Sequence, residues 1–281
     1  MKQILFLLLL VCSLPVRATL FDYQRVDSIK VMQLLETAYR EKPTTNWMIY
    51  FARKLRGIPY VAQTLERNTD ERLVINLREL DCTTYVENVL ALSLFIKNKK
   101  RTFADFCNLL RQIRYQDGHI SYTDRLHYFT GWILDNTRMR LVTGETQSPD
   151  PPFTKVQTLH VDYMSRHPSL YPMLKSHPAW VSSIKAMEDS LNGRRFRYIP
   201  KEAIANSPLF RRTIHDGDII AIITSKQGLD TSHIGIAVWH SDGLHMLNAS
   251  QVRHKVVEEP WTLRYYMSRH PSQVGIRIIR P

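Results

Sequence analysis

Cys82 follows an aspartate and opens a long apolar run in LRELDCTTYVENVLALSLFIK, Leu77 to Lys97. A thiol at the start of a buried helix has a chemical use. The thiolate is a nucleophile, and a helix N-terminus favours it through unpaired N–H groups and the helix dipole. Asp81 is of the N-cap type, which places Cys82 at the first helical position. The backbone N–H of Cys82 then points outward as one donor to an oxyanion. Behind it, Val86, Val89, Leu90, Leu92, Leu94, Phe95 and Ile96 make the helix apolar on nearly every side. A helix packed that way holds its first residue rigidly.

A cysteine nucleophile needs a base. Of the 11 histidines, His167, His177 and His270 each precede proline, and His160, His215, His240 and His254 fall at loop or strand ends. His233 is different. It begins a strand, HIGIAV, straight after the polar LDTS, and Gly235 permits close packing. A tight hairpin turn centred on His240-Ser241 places Asn248 opposite His233. The amide can then accept from the imidazole and orient it, the third role of a catalytic triad. His245 competes for that role, but its partner would fall in the wrong part of the hairpin. On spacing alone, Cys82, His233 and Asn248 are a triad or three unrelated core and edge residues.

The elements that must carry these residues follow from periodicity. Helical spacing runs over Phe21 to Arg40, interrupted by Pro43, and over Asn46 to Arg56. Leu73 to Leu77 reads as extended. Helices follow from Cys82 and from Thr102, then an aromatic and polar loop, GHISYTDRLHYFTGWILDN, leads into a short helix. Gly144 to Pro152 is a surface loop, and helices are expected around Val161 and from Ala179 to Leu191. From Gly217 the texture changes to short β-branched strands: GDIIAIITS, HIGIAVWH, GLHMLNAS, KVVEEP and VGIRIIRP. The segment YMSRHPS occurs twice, at Tyr163–Ser169 and Tyr266–Ser272, each a helix end stopped by proline. Helices first and an antiparallel sheet last make one α+β domain, with a helical half over about 21–191 and a strand-rich half over about 212–281.

The first residues, MKQILFLLLLVCSLPVRA, have the charge, short apolar core and small final residue of a secretory leader over 1–18. The core is shorter than the roughly 20 residues of a membrane span. Lipoprotein anchoring through Cys12 is disfavoured because Val11 stands where a small residue is wanted. The expectation is an exported, periplasmic protein of residues 19–281 with no stable membrane insertion. Cys82 and Cys107 remain. In an oxidising compartment they are bridged or free, and the apolar spacing around Cys107 also suits a core filler. The chain carries 38 Lys plus Arg against 26 Asp plus Glu, a net charge of +12, with 44% hydrophobic residues. Such a balance draws an exported protein to anionic surfaces. The basic residues are dispersed and no nucleic-acid motif is present, so nucleic acid is not an expected partner. No metal or cofactor is expected: His240, His245 and His254 are loosely spaced and lack a matching carboxylate or thiolate set.

DCTTYVE resembles the nucleophile motif of the NlpC-type, papain-like cell-wall hydrolases. GIPY, from Gly57 to Tyr60, resembles their tyrosine motif, SHIGIAV their base strand and LNAS their orienter strand. PYVAQTLE, ERLVINLRELDC, DRLHYFTGW, YMSRHPSLYP and GLDTSHIGI further resemble the N-acetylmuramoyl-L-alanine amidase-like branch of Gram-negative bacteria. The resemblance spans about Trp47 to Pro281. It implies a papain-like fold whose helical part packs on an antiparallel sheet or half-barrel. It also implies a cysteine nucleophile, Cys82, with His233 and Asn248 as base and orienter. Tyr60, Asp81, Arg125, His127, Tyr128 and Ser232 would form the substrate-binding set, with the Tyr60 hydroxyl beside the oxyanion.

Two departures stand out: Asn248 replaces the histidine of many relatives, and Ala62-Gln63 replaces a Gly-Gly pair. The implied reaction is hydrolysis of the amide between N-acetylmuramic acid and L-Ala of a stem peptide, on muropeptide fragments, by a monomer. A γ-D-glutamyl-diamino acid endopeptidase, an inactive wall-binding protein and a cysteine acyltransferase are the rivals.

Overall fold

In the computed structural model the structure describes residues 20–42, 44–144 and 150–281. The leader with Cys12, Pro43, and residues 145–149 of the Gly144–Pro152 loop lie outside them. In chain order the strands are β1 Phe21–Tyr23, β2 Leu73–Ile75, β3 Thr143–Gly144, β4 Lys155–Thr158 and β5 Arg195–Pro200. They continue as β6 Ile219–Thr224, β7 Thr231–Trp239, β8 Leu244–Ser250, β9 Lys255–Glu258 and β10 Gln273–Arg280. The α-helices are α1 Arg25–Ala38, α2 Trp47–Lys54, α3 Cys82–Lys97, α4 Phe103–Arg114 and α5 Phe129–Arg138. The rest are α6 Tyr163–Arg166, α7 Pro172–Ser176, α8 Val181–Leu191, α9 Pro208–Thr213 and α10 Leu263–Ser268.

The main sheet has the order β4-β5-β10-β6-β7-β8-β9, with β3 on β10, and all its strand pairs are antiparallel. It stays open and does not close into a barrel. Strand alternation sorts its side chains onto two faces. Ile219, Ala221, Ile234, Ile236, Val238, Leu247 and Ala249 join the core built by α1 to α5. Ile220, Ile222, Ala237, Leu244 and Met246 face a second core that includes Leu263 and Met267 of α10. The fold is therefore mixed α+β. A third cluster, around Tyr122, Tyr128, Met164, Ile184 and Leu191, fastens the aromatic loop to α6 and α8.

Several expectations shift. The first helix starts at Arg25, because Phe21–Tyr23 pairs in parallel with Leu73–Ile75. Strand β4 lies inside the expected helical half and β5 between the two expected halves, and they pair over Lys155↔Tyr198 to Thr158↔Arg195. Arg195–Pro200 is short and mixed in polarity, so no period marks it. Asn46 does cap α2, accepting from Ile49 N at 3.2 Å. Both YMSRHPS copies end helical turns in the same way. His167 Nδ1 lies 2.9 Å from the Tyr163 carbonyl oxygen, and His270 Nδ1 lies 2.8 Å from that of Tyr266.

The approach to Cys82 is tied down by buried polar groups. Asp27 of α1 is fully buried and accepts from Leu77 N at 3.0 Å and from Arg78 Nε at 3.2 Å. Arg114 of α4 bridges Glu87 of α3 at 2.7 Å and the Val74 carbonyl at 2.6 Å. Removing one member of such a pair strands the other charge in the core and costs about 3–5 kcal/mol.

Candidate active site

Helix α3 begins at Cys82 for a local reason. Asp81 Oδ1 accepts from Thr84 N at 2.8 Å, and Thr84 Oγ1 accepts from Asp81 N at 2.9 Å, a reciprocal capping box. From Thr84 to Phe95 the helix is buried, so its first residue sits on a rigid rod. Both cysteines are free thiols.

The base side is built by the β7–β8 hairpin. His233 Nε2 lies 3.0 Å from Asn248 Oδ1. Asn248 is fully buried, and its Nδ2 donates to Glu259 Oε1 at 3.2 Å, while Glu259 Oε2 accepts from Arg253 Nε at 3.0 Å. This chain settles the tautomer. The carboxylate only accepts, so the amide nitrogen faces Glu259 and the amide oxygen faces the imidazole. Nε2 of His233 therefore carries the hydrogen, and Nδ1 is left with its lone pair.

The expected register is corrected. Ile236 pairs with Leu247 and Trp239 with Leu244, which makes the turn two residues longer than expected and carries Asn248 across from Gly235. A shift of two keeps every side chain on its face, so His233 still reaches Asn248 diagonally. A Cβ on Gly235 would come within 2.5 Å of the Met246 side chain and 2.8 Å of the Leu247 carbonyl oxygen. That glycine is what lets the two strands approach.

Cys82 and His233 come together at the start of β7. Both line a cavity of about 220 Å³ with His127, Tyr128, Tyr171 and Ser232. The Ile234 backbone N–H hydrogen-bonds the Cys82 sulfur. Asp230 fixes this corner: Thr130 N of α5 donates to its carboxylate at 2.6 Å, and Gln157 Nε2 to its carbonyl at 3.0 Å.

The electrostatics reverse one expectation. Burial pushes the Cys82 thiol up to about 12, and the Asp81 carboxylate acts in the same direction; the Ile234 and Thr83 hydrogen bonds oppose them only in part. The helix start does not acidify this thiol, because desolvation outweighs it. Burial also lowers His233 below its ordinary value, against the Asn248 hydrogen bond and the Glu259 charge. The resting pair is thus a thiol and a neutral imidazole.

The expected binding residues divide. Ser232 is exposed and lines the cavity. Tyr128 and His127 line both this cavity and a neighbouring one of about 350 Å³. The Tyr128 hydroxyl donates to Glu188 at 2.7 Å. His127 Nε2 lies 2.7 Å from the Tyr122 carbonyl oxygen; burial first and the Arg125 charge second lower its pKa to about 3, so its ring is neutral. Arg125 is buried and pairs with Glu66 and with Glu71 at 3.5 Å, which makes it a brace for the loop that carries His127. Tyr60 is outside the lining of the 220 Å³ cavity. Burial, then the charges of Cys82 and Asp81, hold its hydroxyl protonated with a pKa of about 12. Glu259 and Asp230 went unassigned in the sequence, although KVVEEP and GLDTSH displayed them. An acidic residue one strand away from an amide carries no local signal of that contact.

The histidines set aside as loosely spaced also need correction. Ligand atoms of His240, Asp242 and His245 lie within 4.8 Å of one another, the one such group among the described residues. Asp242, in the turn, supplies the carboxylate the sequence reading did not count.

Residues 50–276 match the family model described as AmiA-like, N-acetylmuramoyl-L-alanine amidase-like. The chain belongs to the N-acetylmuramoyl-L-alanine amidase-like family. A solved N-acetylmuramoyl-L-alanine amidase from Bacteroides uniformis is 39% identical, with a TM-score of 0.77, covering 83% of this amidase-like chain and 97% of that one. A candidate xylanase from Bacteroides fragilis is 38% identical, with a TM-score of 0.76, covering 82% and 99%. Protein LPG0564 from Legionella pneumophila, at 22% identity and a TM-score of 0.70 over 90% and 94% of the two chains, shares the fold. No curated protein matches the amidase-like chain. None of its described helices is long and apolar enough to cross a membrane.

Proposed function

We propose that this protein is a cysteine-dependent N-acetylmuramoyl-L-alanine amidase of the NlpC-type, papain-like superfamily, exported to the periplasm and acting as a monomer on muropeptide fragments. One observation carries the reading: the 3.0 Å contact between His233 Nε2 and Asn248 Oδ1, which leaves a basic Nδ1 on a ring sharing a cavity with Cys82.

With both groups neutral at rest, the step begins as a proton transfer. Nδ1 of His233 takes the Cys82 proton while the sulfur attacks the lactyl carbonyl carbon of N-acetylmuramic acid. Transient charge on the carbonyl oxygen is met by the Cys82 N–H, which has no partner within the helix, and by the Tyr60 hydroxyl. The imidazolium then gives its Nδ1 proton to the L-Ala nitrogen, the C–N bond breaks, and the stem peptide leaves. A muramoyl thioester remains. Nδ1 next takes a proton from water, whose oxygen attacks the thioester, and the proton returns to the departing sulfur. Asn248 holds the ring through both half-reactions, and Glu259 holds Asn248.

Mass spectrometry of muropeptides incubated with wild type and with Cys82→Ala tests this. Free stem peptide and intact glycan, formed by wild type only, is the expected result. Cleavage within the stem would make the protein an endopeptidase with the same residues. Intact substrate after incubation with wild type would overturn the hydrolase reading.

A further inference from the structure

A cavity of about 520 Å³ takes no part in the proposed steps. It is bounded by Arg253 and Lys255 around the β8–β9 turn, and by Tyr266 and Arg269 at the end of α10. Three features join it to the candidate active site. Tyr266 lies against His233, with ring centroids 6.5 Å apart. The Tyr60 N–H donates to the His254 carbonyl oxygen at 3.0 Å, which ties the same turn to the tyrosine proposed beside the oxyanion. Glu259, which holds Asn248, also lines the cavity.

The cavity is cationic. Glu259 is the one acidic residue in its lining, is 2% exposed, and has both oxygens engaged: Oε1 accepts from Asn248 at 3.2 Å and Oε2 from Arg253 at 3.0 Å. Lys255 and Arg269 are exposed, and neither has an ion-pair partner among the described residues. Arg253 is held twice, by Glu259 at its Nε and by the Trp261 ring, whose centroid lies 5.0 Å from the guanidinium carbon. Its two terminal nitrogens have no acceptor among the described residues. A guanidinium fixed in this way, with its outer edge unused, suits a planar anion such as a carboxylate. The indole face that a sugar ring would need is covered by the same guanidinium.

In a muropeptide the charge lies in the peptide. The lactyl group is uncharged while it forms the amide, whereas a γ-linked D-glutamate keeps its α-carboxylate and the diamino acid after it adds another. The departing L-Ala nitrogen takes its proton from His233, so the peptide begins at that ring. Its first free carboxylate is on the second residue, roughly 7 Å on along an extended chain. That is close to the 6.5 Å between the His233 and Tyr266 rings. Given the amidase reading, on which this rests, we propose that Arg253, Lys255 and Arg269 form the subsite for the stem-peptide carboxylates, on the leaving-group side of the scissile amide.

The test is calorimetric titration into the Cys82→Ala protein of a disaccharide tripeptide, and of the same compound with its carboxylates converted to carboxamides. Both titrations are repeated with Lys255→Gln and Arg269→Gln added together; these side chains are exposed, and circular dichroism checks the fold. The acid form should lose affinity on the order of tenfold or more in the added variant, and the amide form should bind weakly and equally to both proteins. Equal loss for the two forms would assign the cavity to the sugars, and no loss for either, or no saturable binding of the acid form, would also overturn the subsite. A muropeptide bound through its carboxylates yet left intact by wild type would overturn the amidase reading alone. Turnover with a KM that Lys255→Gln and Arg269→Gln leave unchanged would overturn the subsite alone.

Discussion

The two thiols of the described chain have the same free-solution chemistry and opposite surroundings. Burial pushes both Cys82 and Cys107 up to about 12. Cys107 lies in α4 among Phe106, Leu110 and Ile113 and is 1% exposed. Cys82 is part-exposed at a helix start, faces an ordered imidazole across a cavity, and accepts from the Ile234 N–H. A raised thiol pKa therefore marks burial and not reactivity. On the proposed mechanism, what separates Cys82 from the core filler Cys107 is the cavity it shares with His233.

The largest expected effect sharpens this contrast directly. Cys82→Ala should lower muropeptide hydrolysis on the order of a thousandfold or more with little change in Tm, whereas Cys107→Ala should leave kcat intact. Loss of turnover in the Cys107 variant, with its fold preserved, would erase the distinction. Next comes the orienter. Asn248→Ala leaves Nε2 of His233 and the Glu259 carboxylate without their shared partner, and kcat should fall roughly 10- to 100-fold, less than for loss of the base itself, with KM nearly unchanged.

The pH profile is a finer probe of the same comparison. His233 must be neutral to take the proton, and its pKa lies below 6.5, so kcat/KM should fall on the acid side with a midpoint below 6.5. With the thiol at about 12, no loss is expected between pH 7 and 9. A falling limb in that interval would instead reveal a resting thiolate–imidazolium pair, contrary to the environment described above. Smallest is the stability of the core thiol: Cys107→Ala removes a buried sulfur and should cost about 1 kcal/mol, read as a shift in the urea midpoint at constant m.

Much of the site was legible because its signals are local. The N-cap at Asp81, the thiol one residue on and the apolar helix behind it depend on contacts within one or two turns. The pairing of His233 with Asn248 survived a wrong turn length, because strand faces repeat every two residues and the error was two. Other features carried no such mark. Arg125 sits in a loop whose residues look free to bind substrate, yet Glu66 and Glu71, more than fifty positions earlier, enclose it.

The sequence by itself determined where α2, α3 and α4 start, which strand carries the imidazole, and which residues of the β7–β8 hairpin share a face. Only the tertiary structure decided the state of those residues. Burying Cys82 in the protein interior, joining Thr130 of α5 to Asp230 and enclosing Arg125 between Glu66 and Glu71 are results of long-range packing. Desolvation and Coulomb energies follow distance in space, and spacing along the chain does not reveal it.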